Sequence, residues 1–246
     1  MAIFRSILIC VPTTGQSMKS GTALTITDTV KTLIANGLHV DVHNIDSAEI
    51  VTARDMFANM VLHSDAWDSL LFIDSDMAFG PNLVPKLINR SADVAAAACP
   101  RRRLHLDQFL ARAREHGNLD KAVAQASEFT VNLRWSHQPN KAIKIKDGFC
   151  TAAAVGMAIA LISKAALEAM IEAKVVRPRL DLNAGEGKTC WSFFENLEEE
   201  GSRLGEDYSF CHRWTAQMKR ELSVCVDEPV THIGQYEYRA RYLDLF

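Results

Sequence analysis

The chain has 246 residues, 48% of them hydrophobic and 23% charged, a composition ordinary for a soluble globular protein with one sizeable α/β domain, or one domain and a smaller lobe. A net charge of -3 argues against broad, charge-driven nucleic-acid binding, though not against a local basic patch. The longest apolar run, residues 152–162, is well short of the ~18 residues of a membrane-span candidate, so no transmembrane segment is expected. Cys10, Cys99, Cys150, Cys190, Cys211 and Cys225 are dispersed with no C-x-x-C, which fits buried reduced thiols in a cytoplasmic protein better than a disulfide framework or a zinc site.

In chain order, Ile7 to Val11 is too short for a signal-peptide core and reads as a first buried strand, stopped by Pro12. A loop at Thr13, Thr14 and Gly15 follows. Leu24, Val30, Leu33 and Ile34 then form a helical stripe that ends at Asn36 and Gly37. Leu38, Val40 and Val42 alternate with polar residues, which says strand. Ser47 suits the cap of a helix carrying Ile50, Ala53, Phe57, Met60 and Val61. Ser69 to Ile73 is a buried strand running into Asp74, Ser75 and Asp76. Pro81 opens a short helix through Leu87, and Val94 to Cys99 is the next strand, ended by Pro100. This β-α-β-α-β-α-β order over residues 1–100 predicts a mostly parallel, doubly wound sheet with ligands at its carboxyl edge.

The remaining half has a different texture. Residues 101–128 are charged and predicted mostly helical. Phe129, Val131, Leu133 and Trp135 alternate, as do Ile143 and Ile145, predicting antiparallel strands with one wet face. Residues 155–162 read as one buried strand, and Ser163 as the cap of the helix that follows. Residues 175–205 are irregular, and a connection that long in a compact domain is usually functional or mobile. Glu206 and Asp207 open a helix with Phe210, Trp214 and Met218 on one side; Leu222 to Val226 is the last strand, before an aromatic, basic tail.

Asp74 and Asp76 hold the other features together. In a strand, residues i and i+2 point to one side, here toward the crevice at the sheet's carboxyl edge. Two hard oxygen donors there suit a divalent cation, and a cation suits a diphosphate. The same two residues would also serve simply to close the strand and its turn.

The order of parts resembles the GT-A glycosyltransferases, which move a sugar from a nucleotide-sugar donor. Four segments carry the resemblance across most of the chain. Leu71-Phe72-Ile73-Asp74-Ser75-Asp76 looks like the family's D-x-D, and Val51-Thr52-Ala53-Arg54-Asp55 is similar to its A-R-N helix segment, with Asp55 in place of Asn. Gly205-Glu206-Asp207 looks like the acceptor-side E-D motif, and His232-Ile233-Gly234-Gln235-Tyr236 resembles the histidine segment that folds back onto the metal.

The resemblance implies a single GT-A-like domain over 1–246, with a nucleotide-sugar-binding half at 1–100 and an acceptor-side half with a metal-binding tail at 101–246. Its sheet would be mostly parallel but mixed, flanked by helices, with a smaller antiparallel acceptor-side part. It implies a hexosyltransferase that uses a UDP-sugar, an unidentified acceptor and manganese or magnesium. Asp76 and His232 would ligate the metal, with Asp74 reaching it or the ribose through water. Ser75, between them, belongs to the same donor site. Asp207 would be the general base or hold the acceptor, with Glu206 beside it; plain helix-dipole compensation also suits both acids. Pro12, Thr13, Thr14 and Asp46 match nucleoside-contacting positions, although turn chemistry accounts for them as well. Arg54 would contact phosphate, buttress the D-x-D or form a buried ion pair. Tyr236 and Arg239 would close over the diphosphate. Arg101, Arg102 and Arg103 would meet a diphosphate or an anionic acceptor, or form a solvated surface, the default for a charge run. Gly185-Glu186-Gly187-Lys188-Thr189 resembles a P-loop, but the first glycine would fall at Leu182 and no strand leads in. A sugar-phosphate nucleotidyltransferase and a non-catalytic nucleotide-binding module share the layout. The former calls for a glycine-rich basic loop after the first strand, where this chain has Pro12 to Ser17. A homodimer is left open.

Overall fold

The structure is a computed structural model, and it describes residues 4–133, 143–182, 185 and 187–234. The first half is β1 (Ser6–Thr13), α1 (Ser20–Ala35), β2 (His39–Asp46), α2 (Ile50–Leu62), β3 (Ser69–Ile73), β4 (Met77–Phe79), α3 (Leu83–Asn89), β5 (Val94–Ala97) and β6 (Pro100–Leu104). Then come α4 (Leu106–His116), α5 (Leu119–Ala126), β7 (Ser127–Phe129), β8 (Val131–Asn132), β9 (Phe149–Ala152), β10 (Ala154–Val155), β11 (Ile159–Ser163) and α6 (Lys164–Glu172). The chain closes with β12 (Arg177–Pro178), β13 (Trp191–Ser192), the hairpin β14 (Glu198–Glu199) and β15 (Ser202–Arg203), α7 (Glu206–His212), a π-helical turn (Arg213–Gln217), β16 (Leu222–Cys225) and β17 (Val230–His232).

Seven strands form the central sheet in the order β2-β1-β3-β11-β5-β16-β9. β2, β1, β3, β5 and β16 run one way, and β11 and β9 run against them. The sheet is therefore mostly parallel but mixed, with helices on both faces and small antiparallel sheets at its edge, the fold class expected from the sequence.

Both faces of the sheet are buried, so its central strands are continuous apolar runs rather than alternating ones. Every residue of β3 is buried. Alternate side chains serve separate cores: Leu8, Cys10, Leu70 and Phe72 pack with Phe57, Phe194 and Phe210 on one face. Ile7, Ile9, Val11, Leu71 and Ile73 pack with Leu33, Leu83 and Leu87 on the other. Truncating a fully buried phenylalanine such as Phe72 would cost about 3–5 kcal/mol. All six cysteines are buried and free, and among the described residues no helix is long and apolar enough to cross a membrane.

Local chemistry sets several boundaries. Helix α1 stops at Asn36 and Gly37, where Gly37 takes φ +81°. The Ser163 hydroxyl caps α6 by accepting from the Ala166 N–H. Ser47 does not cap α2: its hydroxyl bonds the Glu49 N–H ahead of the helix, and Glu49 is the cap residue. Pro12 does not stop β1. Pairing with β3 ends at Cys10 while β2 partners the strand through Thr13, so Pro12 sits where β1 has one neighbour and its missing N–H costs nothing.

Two expectations in the second half are corrected and one is refined. Residues 155–162 are not one strand: a turn at Met157 and Ala158 separates β10, which pairs with β8, from β11 in the central sheet. Residues 101–128 are mostly helical, as expected, in α4 and α5, with β6 at the start of the segment paired antiparallel to β7 at its end. Ile143 and Ile145 alternate without a strand and are exposed, because no sheet face receives them. Trp135 lies outside the described residues.

Candidate active site

The carboxyl ends of β2, β1 and β3 lie side by side. Thr13 is paired with Asp46, and Cys10 is level with Phe72, so Asp74 emerges at the same edge as Pro12. β3 ends at Ile73, and Asp74 to Asp76 form a tight turn closed by the Met77 N–H to the Asp74 carbonyl at 3.0 Å. Strand alternation therefore does not aim the two carboxylates together. The turn sends Asp74 toward α2 and Asp76 toward β17. Two backbone bonds fix it: Asp74 N–H donates to Ala158 O at 2.8 Å and Ile233 N–H to Asp76 O at 2.8 Å. The turn that interrupts residues 155–162 thus supplies a support for Asp74.

Arg54 is the inner support of the site. It is 1% exposed and lies with its Cζ 4.9 Å from the centre of the Phe72 ring. Its Nη2 is 3.2 Å from Asp74 Oδ1, its Nη1 donates to Met157 O at 3.2 Å, and its Nε lies 3.4 Å from Asp207 Oδ1 and 3.9 Å from Glu206 Oε1. Of the three roles open to this arginine, the geometry is that of a buried ion pair buttressing the Asp74 turn. Burial opposes its charge, but Asp74, Asp207 and Glu206 outweigh it and hold the guanidinium pKa up. Burial likewise pushes the Asp74 carboxyl up to about 6 against the pull of Arg54, with Asp207 and Asp76 adding to the rise. Glu206 is raised by burial and then by the neighbouring Asp207.

Asp207 stands at the first turn of α7. One oxygen faces Arg54; the other looks toward Gly156, where an added Cβ would lie 3.6 Å from Asp207 Oδ2 and 2.6 Å from Thr130 Oγ1. Glycine at 156 therefore makes room for Thr130, with Asp207 Oδ2 at ordinary contact distance beyond.

Asp76 and His232 converge. β17 pairs with β4 so that His232 is opposite Met77, and its Nε2 lies 3.2 Å from Asp76 Oδ2. Its Nδ1 is 2.8 Å from the Pro100 carbonyl, an acceptor only, so the hydrogen-bond network assigns the neutral ring's proton to Nδ1. Nε2 then faces the carboxylate oxygen, as a donor to it when it carries a proton and as a lone pair beside it when it does not. A ring nitrogen anchored on a carbonyl is the usual support of a metal-ligating histidine. Two ligands each about 2.1 Å from one octahedral ion lie roughly 3 Å apart, so the spacing suits a shared divalent cation and a direct hydrogen bond alike. Among the described residues no third acidic, histidine or cysteine side chain joins them.

The residues that the resemblance assigns to the nucleoside form their own cluster. Thr13 is buried, and its hydroxyl meets Asp46 Oδ1 at 3.2 Å; Asp46 also accepts the Gln16 N–H at 2.9 Å, and Thr14 donates to Ser47 O. Pro12 is buried beside them. The Ser75 carbonyl accepts the Lys19 N–H at 2.9 Å, which ties the loop after β1 to the Asp74 turn. Tyr236 and Arg239 lie outside the described residues. Arg102, read in the sequence with a solvated surface as its default, is exposed and also reaches Asp76, with Nη1 3.3 Å from Oδ2. Its strand setting is invisible in an arginine run.

No family model matches the chain. No curated protein matches it either. Among solved structures it is similar to A197 from STIV, at 15% identity over 96% of each chain with a TM-score of 0.47. It is also similar to GalNAc-T7 crystallised with UDP, GalNAc and Mn2+, at 12% identity and a TM-score of 0.45, over 96% of this chain and 45% of that one. A Drosophila beta-1,4-galactosyltransferase 7 mutant, in complex with manganese, UDP-Gal and xylobiose, is similar at 10% identity and a TM-score of 0.45, over 98% of this chain and 79% of that one. The last two of these neighbours are glycosyltransferases by name; at such identities the likeness concerns the fold alone.

Proposed function

We propose that this protein is a metal-dependent glycosyltransferase that moves a hexose from a UDP-sugar to an acceptor hydroxyl. The observation that carries the reading is the facing pair Asp76 Oδ2 and His232 Nε2, 3.2 Å apart, with the ring's other nitrogen anchored on a carbonyl. The four acids and Arg54 at the same sheet edge support it. Asp76 and His232 would hold manganese or magnesium, with Asp74 behind them; when bound, the ion supplies Lewis-acid stabilisation of the departing diphosphate.

The chain's own groups do the rest. Pro12, Thr13, Thr14 and Asp46 seat the nucleoside, and Ser75 lies between the two acids of the turn. In transfer, the bond from the sugar's anomeric carbon to the diphosphate oxygen breaks and its electron pair leaves with the diphosphate. The acceptor oxygen bonds to that carbon and gives up its proton. Asp207 takes this proton if configuration is inverted, and orients the acceptor hydroxyl if it is retained. Arg54 fixes the Asp207 carboxylate by engaging its inner oxygen, leaving the other for the acceptor.

Thermal unfolding with UDP, GDP, CDP or ADP, each with manganese and then with chelator, tests the donor side. A ligand at ~100 times its dissociation constant stabilises by roughly 2.7 kcal/mol. A shift with UDP that chelation removes, and that Asp76→Asn lacks, is expected, followed by turnover on a UDP-sugar panel. Full transfer activity in the folded Asp76→Asn variant overturns the metal assignment.

A further inference from the structure

Strand β6 carries three arginines with divided tasks. Arg101 and Arg103 point to one side, where both lie near Glu128 at 3.6 Å and 3.5 Å, with His105 on the same carboxylate. Strand alternation turns Arg102 to the opposite side. There its Nη1 lies 3.3 Å from Asp76 Oδ2, the same oxygen that His232 Nε2 approaches. Its stem runs along Gly234, where an added Cβ would meet Arg102 Cδ at 3.2 Å and Cγ at 3.3 Å. Pro100, two residues before it, accepts from His232 Nδ1, so the strand that carries Arg102 is pinned to the histidine. The Arg102 side chain is 56% exposed, against 22% for Asp76. It is a charged, exposed group laid over the site.

A divalent ion on Asp76 Oδ2 and the Arg102 guanidinium compete for one oxygen, and like charges that close repel. When the ion binds, the guanidinium must leave. The next anion open to it would be the nucleoside diphosphate of the donor, and a guanidinium fork matches phosphate oxygens. Resting on the metal–diphosphate reading above, we propose that Arg102 is an exchange cation. It neutralises Asp76 before the divalent ion arrives, and then transfers to the nucleoside diphosphate and holds it. It thereby couples ion binding to donor binding.

The signature is a pair of effects of opposite sign. Removing the competitor should tighten ion binding to the nucleotide-free protein, while removing the phosphate contact should weaken nucleotide binding. Manganese is titrated into nucleotide-free wild type, Arg102→Gln and Arg102→Lys, with free Mn2+ read by electron paramagnetic resonance. UDP is then titrated by calorimetry at saturating manganese. Arg102→Gln should bind manganese several-fold more tightly and UDP about tenfold more weakly, with Arg102→Lys recovering much of the UDP affinity. Both affinities moving together, or neither moving, overturns the proposal. Asp76→Asn separates the two failures. If it binds manganese as wild type does, the metal reading has failed, and the exchange with it; if it loses manganese while Arg102→Gln matches wild type, only the exchange role is overturned.

Discussion

Arg54 Nη2 lies 3.2 Å from Asp74 Oδ1, and the arginine that makes this contact is 1% exposed. The same guanidinium presents Nε to Asp207 Oδ1, and among the described residues neither of those two atoms has a hydrogen-bond partner, so each depends on the other's charge at 3.4 Å. One buried cation thus serves two acidic segments 133 residues apart in the chain. Breaking a buried pair by removing one partner leaves uncompensated charge and costs about 3–5 kcal/mol. Arg54→Met should lose that much stability in urea unfolding at neutral pH. Adding Asp74→Asn should return part of the loss, because the two residues are coupled. A loss below about 1 kcal/mol would show that the guanidinium is not the support described above.

Asp55 makes a second long-range tie. It is fully buried; its Oδ1 accepts the N–H groups of Phe193 and Phe194 at 2.9 Å each, and its Oδ2 meets Arg179 at 2.7 Å. Asparagine in its place would keep the two backbone bonds but lose the charged partner. Asp55→Asn should therefore cost about 1–3 kcal/mol and raise amide exchange around Arg177 and Arg179, while Asp74 and its turn stay protected. Unchanged exchange in that segment would contradict the assignment.

The fold was legible where burial alone dictates residue type. β1, β3 and β5 carry apolar runs because both sheet faces are covered, and that requirement writes itself into four or five consecutive residues. The acids at the end of β3 were legible for the same reason, since a buried run must end where polar groups return. Their geometry was not. A two-residue spacing suits a strand and a turn equally, and only the Ala158 and Ile233 backbone contacts decide for the turn. Arg54 and Asp55 read as ambiguous because their partners, Asp74, Asp207 and Arg179, are remote in sequence. Arg102 was obscured by its neighbours: three arginines in a row look alike until a strand sends the middle one to the other side.

The Asp74 carboxyl titrates near pH 6 when no ion is bound, chiefly because burial disfavours its charge. Its unfolded value is near 3.8, so between about pH 4 and pH 6 the folded protein holds the proton more tightly than the unfolded chain. This group's contribution to stability is then full below about pH 4 and is lost as pH rises through about 6. About a quarter of the side chain is exposed (27%), which screens the effect. In chelator, stability should fall more steeply over that window in wild type than in Asp74→Asn. Parallel pH curves for the two proteins would exclude the raised carboxyl.

His232 tests the donor side without touching an acid. His232→Ala removes the nitrogen facing Asp76 but leaves both carboxylates of the turn in place. The manganese-dependent UDP stabilisation should shrink by at least about 1.4 kcal/mol, equivalent to about tenfold in affinity, while stability in chelator changes little, since the ring is partly exposed (22%). An undiminished UDP shift would remove His232 from the site.

Gly156 tests the acceptor side. A methyl group there would sit 2.6 Å from Thr130 Oγ1 and 3.6 Å from Asp207 Oδ2. The first contact is too close to survive unchanged, so the Thr130 side chain or the turn at Met157 must shift, at about 1–3 kcal/mol. The second narrows the approach to the one Asp207 oxygen that Arg54 does not engage. Because Asp76 and His232 are on other elements, Gly156→Ala should leave the manganese-dependent UDP shift intact and lower transfer to the acceptor, whereas His232→Ala should lower the UDP shift itself. To separate crowding from simple loss of stability, Thr130→Ser in the Gly156→Ala background removes one methyl and gives the hydroxyl room to turn. If Asp207 serves the acceptor, this double variant regains stability before it regains transfer. Recovery of both in step would mean that Gly156 is needed only for packing against Thr130.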